Sequence, residues 1–356
     1  MGSPGSVLVA MSGGVDSSVA ACLLLDAGYE VLGSHLKLVH TGGVEHGCCG
    51  PQAEADARAV ADLVGFPFEV ADMSEVFEER VISDFVAEHE AGRTPNPCVR
   101  CNERIKFGAF LDRAEELGMD HVATGHYVRT TQDGNGVWRL LRGQDSVKDQ
   151  SYVLHMLGQY ELSRSLFPVG ELPKEQTRAL ARRYGLPVAS KPDSQELCFA
   201  PSGDAGAFLG ERSPHLAREG DVVDTSGRVV GRHGGAARYT VGQRRGVGVS
   251  TGERIYVTET DVTENRVVVG PASLLMRKGL EADGVNWIAG QPGGLFEADV
   301  QFRYRGSAVP AVIEPLARSS VRVEFRSPQS AVTPGQSVVF YSGDEVVGGG
   351  TIDTAF

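Results

Sequence analysis

Two short stretches carry residue types that can do chemistry, and they lie far apart in the chain. "MSGGVDSS", Met11 to Ser18, sets Gly13 and Gly14 among the hydroxyls of Ser12, Ser17 and Ser18 and the carboxylate of Asp16. Glycines let the backbone approach an anion closely, and the amides of a following helix attract it. The loop lacks the lysine that a Walker loop carries after its second glycine. Asp16 is out of place beside phosphate unless it holds Mg²⁺. The second stretch, "TPNPCVRC", sets Cys98 and Cys101 in a C-x-x-C just before a predicted helix. A thiol there ionises more readily, and the thiolate is the nucleophile. Arg100, Arg104 and Lys106 add positive potential, and "KPDSQELC" brings a third thiol, Cys198, much later.

Several readings of these thiols stand open. Zinc calls for a second C-x-x-C or a histidine pair, and neither is evident. An iron–sulfur cluster would take Cys98, Cys101 and Cys198 as ligands and leave a fourth position open. A redox pair of Cys101 and Cys198 would carry sulfur as a persulfide. Inert burial suits Cys22, on the apolar face of the first predicted helix, better than the polar turn of the C-x-x-C. Cys48 and Cys49, in "HGCCGP" beside His46, read as structural or incidental.

The positioning elements follow from periodicity. "SVLVAM" reads as a buried strand, followed by the glycines and a helix over 17–27. "YEVLGSHLKL" and "FPFEVADM" are further strands, and "MDHVATGHY" is a strand running into a loop. Helices are expected over 51–65, 74–90 and 102–118. Such alternation implies an α/β fold with a parallel sheet covered on both faces, whose ligands bind beyond the strands' carboxyl ends. The expected domains are residues 1–205, a small β-rich segment over 206–270, and a β-barrel or sandwich over 271–356.

Composition sets the bounds. With 356 residues, two or three domains are expected, and 41% hydrophobic with 22% charged residues is an ordinary soluble balance. No apolar run reaches the length of a membrane span, and "MGSPGS" lacks the features of a secretory signal, so the cytoplasm is the expected compartment. Six cysteines in such a chain point to catalysis, metal or burial before a disulfide framework. A net charge of −12 excludes a protein coated in positive charge. It leaves room for a local basic face, and "RVVGRH", "RYTVGQRRG" and "RYR" supply basic clusters.

The glycine loop resembles that of the ATP-pyrophosphatase superfamily, which splits ATP between the α and β phosphates and adenylates a carbonyl or carboxylate. Within it, the sequence resembles the bacterial tRNA-specific 2-thiouridylases. The resemblance rests on "MSGGVDSSVAA", "TPNPCVRCNERIKFG", "VATGHY", "KDQSYVL", "KPDSQELCF", "YTVGQRRGVGV" and "AVTPGQSVVFY", and so spans nearly the whole chain. It implies an adenine-nucleotide alpha-hydrolase-like first domain, a central domain that touches tRNA and a tRNA-binding barrel.

The implied reaction adenylates the C2 oxygen of the wobble uridine, after which sulfur displaces AMP. Cys198 would carry the persulfide, with Cys101 as second nucleophile that pairs with Cys198 as sulfur is delivered. ATP would be bound by Ala10, Met11, Ser12, Gly13, Gly14, Val15, Asp16 and Ser17, with Leu36 and Gly125. Asn96, Pro97 and Cys98 would lie near the target base. Lys148, Asp149, Gln150 and His126, with Tyr304, Arg305 and Gln336, would contact or position tRNA, probed in the family's wobble-uridine tRNAs for lysine, glutamate and glutamine. The implied cofactors are ATP and Mg²⁺, with a 4Fe–4S cluster as the alternative sulfur chemistry, and the implied partner is an upstream persulfide donor. Cys98 departs from the family's frequent aspartate, an acid/base residue.

Two rivals remain. Another adenylating enzyme, a synthetase or ligase acting on a small carboxylate or carbonyl compound, would need no such thiols and would survive Cys101→Ser. A non-catalytic RNA-binding protein would bind tRNA without converting ATP to AMP and pyrophosphate.

Overall fold

The computed structural model describes residues 4–39, 50–193, 197–200, 204–249, 254–317 and 319–356. His46, Cys48, Cys49 and residues 194–196 of the Cys198 motif lie outside them. The first seven strands are β1 (Ser6–Ala10), β2 (Glu30–Lys37), β3 (Phe68–Asp72), β4 (His121–Ala123), β5 (Val128–Gln132), β6 (Trp138–Arg142) and β7 (Ser165–Leu166). Five of them form one sheet in the order β3-β2-β1-β4-β7, and every pairing in it is parallel. β1 is apolar from Val7 to Ala10 because both of its faces are covered there, and Val7, Leu8 and Val9 are fully buried.

Helices Val15–Asp26 and Pro51–Val64 follow β1 and β2. The expected helix over 74–90 forms, with a π-helical stretch at Glu78–Ile82. The next begins earlier than the sequence suggests: Asn96 caps it by accepting a hydrogen bond from the Cys98 amide at 3.1 Å. It runs from 97 to 116 through a π-helical stretch, Asn102–Ala109. Cys98 therefore lies in its first turn and Cys101 at the start of its second, rather than before the helix.

Residues 220–270 hold a four-stranded sheet of β8 (Gly220–Asp224), β9 (Val229–His233), β10 (Tyr256–Asp261) and β11 (Arg266–Gly270), in the order β10-β11-β8-β9. The last six strands are β12 (Met276–Trp287), β13 (Phe296–Gln301), β14 (Val309–Pro315), β15 (Val321–Ser330), β16 (Ser337–Ser342) and β17 (Glu345–Ala355). Pairing of β12 with β17 closes them into an antiparallel barrel. The expectation of a barrel or sandwich thus resolves to a barrel. Its interior holds Leu280, Val300, Ile313, Val323, Val338, Phe340 and Ile352.

One connection crosses the domains. β5 and β6 form a hairpin that leaves the parallel sheet, and β6 pairs with β17 at Leu141↔Glu345 and Leu140↔Val346. The sequence reading left this stretch without strands. Arg139 pairs with Glu345 at 2.7 Å, and Arg129 with Asp344 at 2.8 Å.

Candidate nucleotide and RNA cleft

The carboxyl ends of β1, β2 and β4 open into a cleft of about 1000 Å³. Its walls include Ala10, Met11, Ser12, Gly14, Val15, Asp16 and Ser17, with Leu36 and Gly125, so nine of the ten expected ATP residues line it. Gly13, the tenth, has φ +63°, and a Cβ there would stand 2.2 Å from the Ala53 carbonyl oxygen. Only glycine combines that backbone with that contact. A side chain at Gly125 would stand 2.5 Å from the Ser17 amide nitrogen, so its absence keeps the helix end open. Gly14 caps the helix without a side-chain bond, and the first amides keep their anion-facing capacity.

The loop's charge is supplied from elsewhere. Lys174 Nζ stands 2.7 Å from both oxygens of Asp16 and 2.9 Å from Asp193 Oδ1. The Tyr127 hydroxyl lies 2.8 Å from Asp16 Oδ1 and 3.0 Å from Thr177 Oγ1. Burial, reinforced by the Asp16 charge, pushes that phenol far above its ordinary range and keeps it a donor. Lys191 Nζ donates to the Gly13 carbonyl at 2.9 Å and to Asp56 at 2.6 Å. Lys148 and Arg178 complete the surround of Asp193 at 2.8 and 2.9 Å. Burial raises the Asp193 carboxyl, but hydrogen bonds from Lys148 and Lys174 outweigh it and hold the group at about 2. Sequence reading assigned no role to Lys174, Lys191 or Asp193. The signal was present only as "KPD" beside the Cys198 motif.

The expected RNA residues divide. His126, Lys148, Asp149, Gln150, Tyr304 and Arg305 line the same cleft as the glycine loop. Asp149 is engaged internally: it accepts from Arg142 at 2.9 Å, from the Gly143 and Ser151 amides at 3.0 and 3.1 Å, and from the Ser151 hydroxyl at 2.8 Å. Gln150 accepts from the Tyr127 amide at 2.9 Å. These two build the wall, tying the loop to "TGHY". His126 is buried, with Nδ1 2.7 Å from Thr124 Oγ1. Burial, with Lys106 adding to it, pushes its imidazole well below the ordinary range, so it faces the cleft neutral. Tyr304 is half exposed, and Cys98 adds to burial in raising its phenol, which places the cleft's barrel wall within electrostatic reach of the C-x-x-C.

Gln336 sits apart from the cleft. Its Nε2 donates to the Thr94 carbonyl at 2.6 Å, the Thr94 amide donates to Pro334 at 3.0 Å, and Thr94 Oγ1 meets Thr240 Oγ1 at 3.4 Å. The barrel domain and the β9–β10 connection of the central domain together therefore hold the loop that leads to Asn96, Pro97 and Cys98.

The thiols also divide. Cys98 is exposed, Cys101 is buried in the apolar core, and Cys198 packs against that same cluster. Cys22 is buried, and burial followed by the nearby Asp26 charge pushes its thiol up to about 11, an inert state. The positive potential expected from Arg100 and Arg104 is largely neutralised: Asp84 lies 3.6 and 2.9 Å from them and Glu103 3.0 and 3.7 Å. Among the described residues no three His, Cys, Asp or Glu side chains stand together as a metal-holding group.

The cleft is locally basic. Lys106, Arg142, Lys148, Lys174, Lys191 and Arg305 face Asp16, Asp149 and Asp193, against −12 for the whole chain. Among the described residues no helix is long and apolar enough to cross a membrane.

Three family models match in succession: a tRNA methyl transferase HUP domain over residues 5–202, a tRNA methyl transferase PRC-barrel domain over 206–271, and an aminomethyltransferase beta-barrel domain over 277–352. Full-length relatives are named for sulfur chemistry instead. The tRNA-specific 2-thiouridylase MnmA of Carboxydothermus hydrogenoformans is 49% identical over 98% of this chain and 97% of its own. That of Acidothermus cellulolyticus is 50% identical over 97% of each. Among solved structures, a 4-thiouridine synthetase–RNA complex with bound ATP is 16% identical, with a TM-score of 0.35 over 59% of this chain and 50% of that one, a likeness too slight to argue from. End-to-end identity near one half, over a chain that carries the glycine loop, the C-x-x-C and the third cysteine, places this protein in the tRNA-specific 2-thiouridylase family.

Proposed function

We propose that ATP and the wobble uridine of tRNA meet in the cleft, where the chain converts that uridine to 2-thiouridine. The protein is an ATP-using sulfurtransferase acting on tRNA. The observation that carries the arrangement is that the glycine loop and the barrel residues Tyr304 and Arg305 line one continuous cavity. A base in the anticodon loop is unpaired and enters such a pocket at little unstacking cost.

The C2 oxygen of the uridine attacks the α-phosphate and pyrophosphate leaves, which turns a poor leaving group into AMP. The terminal sulfur of a Cys198 persulfide attacks C2, and AMP departs. The Cys101 thiolate then attacks Cys198 Sγ, which releases the sulfur on C2 as the thiouridine and leaves a Cys101–Cys198 disulfide. An external dithiol reduces it, and an upstream persulfide donor reloads Cys198. Splitting the exchange in this way is the logic of covalent catalysis. The shared apolar cluster of Cys101 and Cys198 supports the relay, because a persulfide survives where water is excluded. Mg²⁺ accompanies the triphosphate, with Asp16 as its candidate protein ligand, and the cytoplasm is the compartment. The three domains divide the labour at about residues 205 and 270, with the second and third gripping the tRNA body. Asn96, Pro97 and Cys98 approach the base, and Lys148, His126, Arg305 and Gln336 serve the RNA.

The test is mass spectrometry of tRNA nucleosides after incubation with ATP, Mg²⁺ and a persulfide donor. Wild type yields 2-thiouridine; Cys101→Ser and Cys198→Ser lose it, and Cys22→Ser keeps it. Product from both serine variants would sink the relay. ATP turnover to AMP with no thiolated uridine on competent tRNA would favour the synthetase alternative.

A further inference from the structure

The glycine loop contains no cation, yet a buried one is held against it. Lys174 opens the helix Lys174–Arg183, more than 150 residues beyond the loop, and only 9% of its side chain is exposed. Its ammonium group is held by two carboxylates from different elements, Asp16 at the start of the first helix and Asp193 in the segment leading to Cys198. All three residues line the cleft together with Gly14, Ser17 and Gly125. A lysine that merely neutralised Asp16 would need no second carboxylate and no access to the cavity. Two carboxylates around one ammonium leave an arrangement that a stronger anion can enter, since charge-assisted bonds to carboxylate are replaced by equivalent bonds to phosphate.

We propose that Lys174 is the phosphate cation of this loop, parked on Asp16 and Asp193 until ATP arrives, and that it contacts the pyrophosphate half of the triphosphate. The assignment rests on the reading that the loop binds ATP. It fills the place of the Walker lysine from a distant element. It also accounts for Asp16, whose charge is compensated while the cleft is empty. Asp193, the second carboxylate on Lys174, lies five residues before Cys198 in the chain.

The test is calorimetric titration of the full-length chain with Mg-ATP and, separately, with AMP. Variants are Lys174→Met, Lys174→Gln, which keeps a hydrogen bond to Asp16 without the charge, and Lys174→Met combined with Asp16→Asn. Thermal melts identify variants that fold. The expected result is that Lys174→Met and Lys174→Gln weaken ATP binding by about tenfold or more and leave AMP binding within about twofold of wild type. Equal losses for ATP and AMP, or no loss for either, would overturn the assignment. So would recovery of ATP affinity in the double variant, which would make Lys174 a neutraliser of Asp16 alone. Absence of ATP binding by wild type would overturn the loop reading itself and this proposal with it.

Discussion

At the scale of single residues, the protein places its titratable groups in environments that fix their charge. His155 is the clearest case outside the cleft. It is buried between the catalytic domain and the barrel, with Gly349 pressed against its ring. Burial first, and the Arg100 charge second, push its imidazole down from 6.5 to about 4. A base depressed in the folded state binds fewer protons folded than unfolded, so stability falls as pH drops from 6.5 toward 4. The loss is at most about 1.4 kcal/mol per pH unit for this one group. His155→Leu should flatten the fall in melting temperature over that window, measured by calorimetry at stepped pH. An unchanged slope would remove His155 from the account. His126, also held neutral, leaves the phosphate-facing positive charge to lysines and Arg305.

At the scale of elements, the loop 93–97 joins the C-terminal barrel and the central segment to the helix that carries the C-x-x-C. Thr94 receives one contact from Thr240, in the connection between β9 and β10, and two from the barrel domain, and its chain then turns into the Asn96 cap and Cys98. Gln336→Ala removes one of those contacts. Losing a hydrogen bond of about 1 kcal/mol should speed alkylation of Cys98 about fivefold in the absence of tRNA. An unchanged alkylation rate together with weaker tRNA binding would assign Gln336 to RNA alone. Much at this scale was legible in the sequence. β1, the glycine loop and the helices over 51–64 and 74–90 follow from apolar runs and glycine or proline punctuation, because local periodicity reports burial. Eight of the ten residues expected to hold the nucleotide, Ala10 to Ser17, belong to one local motif, whereas Leu36 and Gly125 were expected from the family resemblance. Lys174, Lys191 and Asp193 were not, because their meaning is a meeting of distant segments that no spacing encodes. The β5–β6 hairpin was missed for the same reason: its polar, arginine-rich strands are stabilised by β17, far away in the chain.

At the scale of the whole molecule, an acidic protein acts on an acidic polymer by concentrating its cations. Six basic side chains line the cleft, whereas ion pairs such as Arg212–Glu78 and Arg322–Glu281 absorb others at the surface. The three parts are also joined mechanically through the β6–β17 pairing. Arg142 reinforces it, standing 3.5 Å above the Tyr341 ring while holding Asp149. A chain ended after residue 271 should therefore aggregate rather than yield a working catalytic domain, since β6 would present a bare edge. Light scattering checks this; a monodisperse, ATP-binding fragment would refute it. The pairing also sets an order of events during synthesis. The hairpin at 128–142 leaves the ribosome long before its partner strand β17, Glu345–Ala355. The wall of the cleft built by Arg142 and Asp149 is thus completed only once β17 has emerged. A nascent chain that still lacks β17 carries no settled cleft wall.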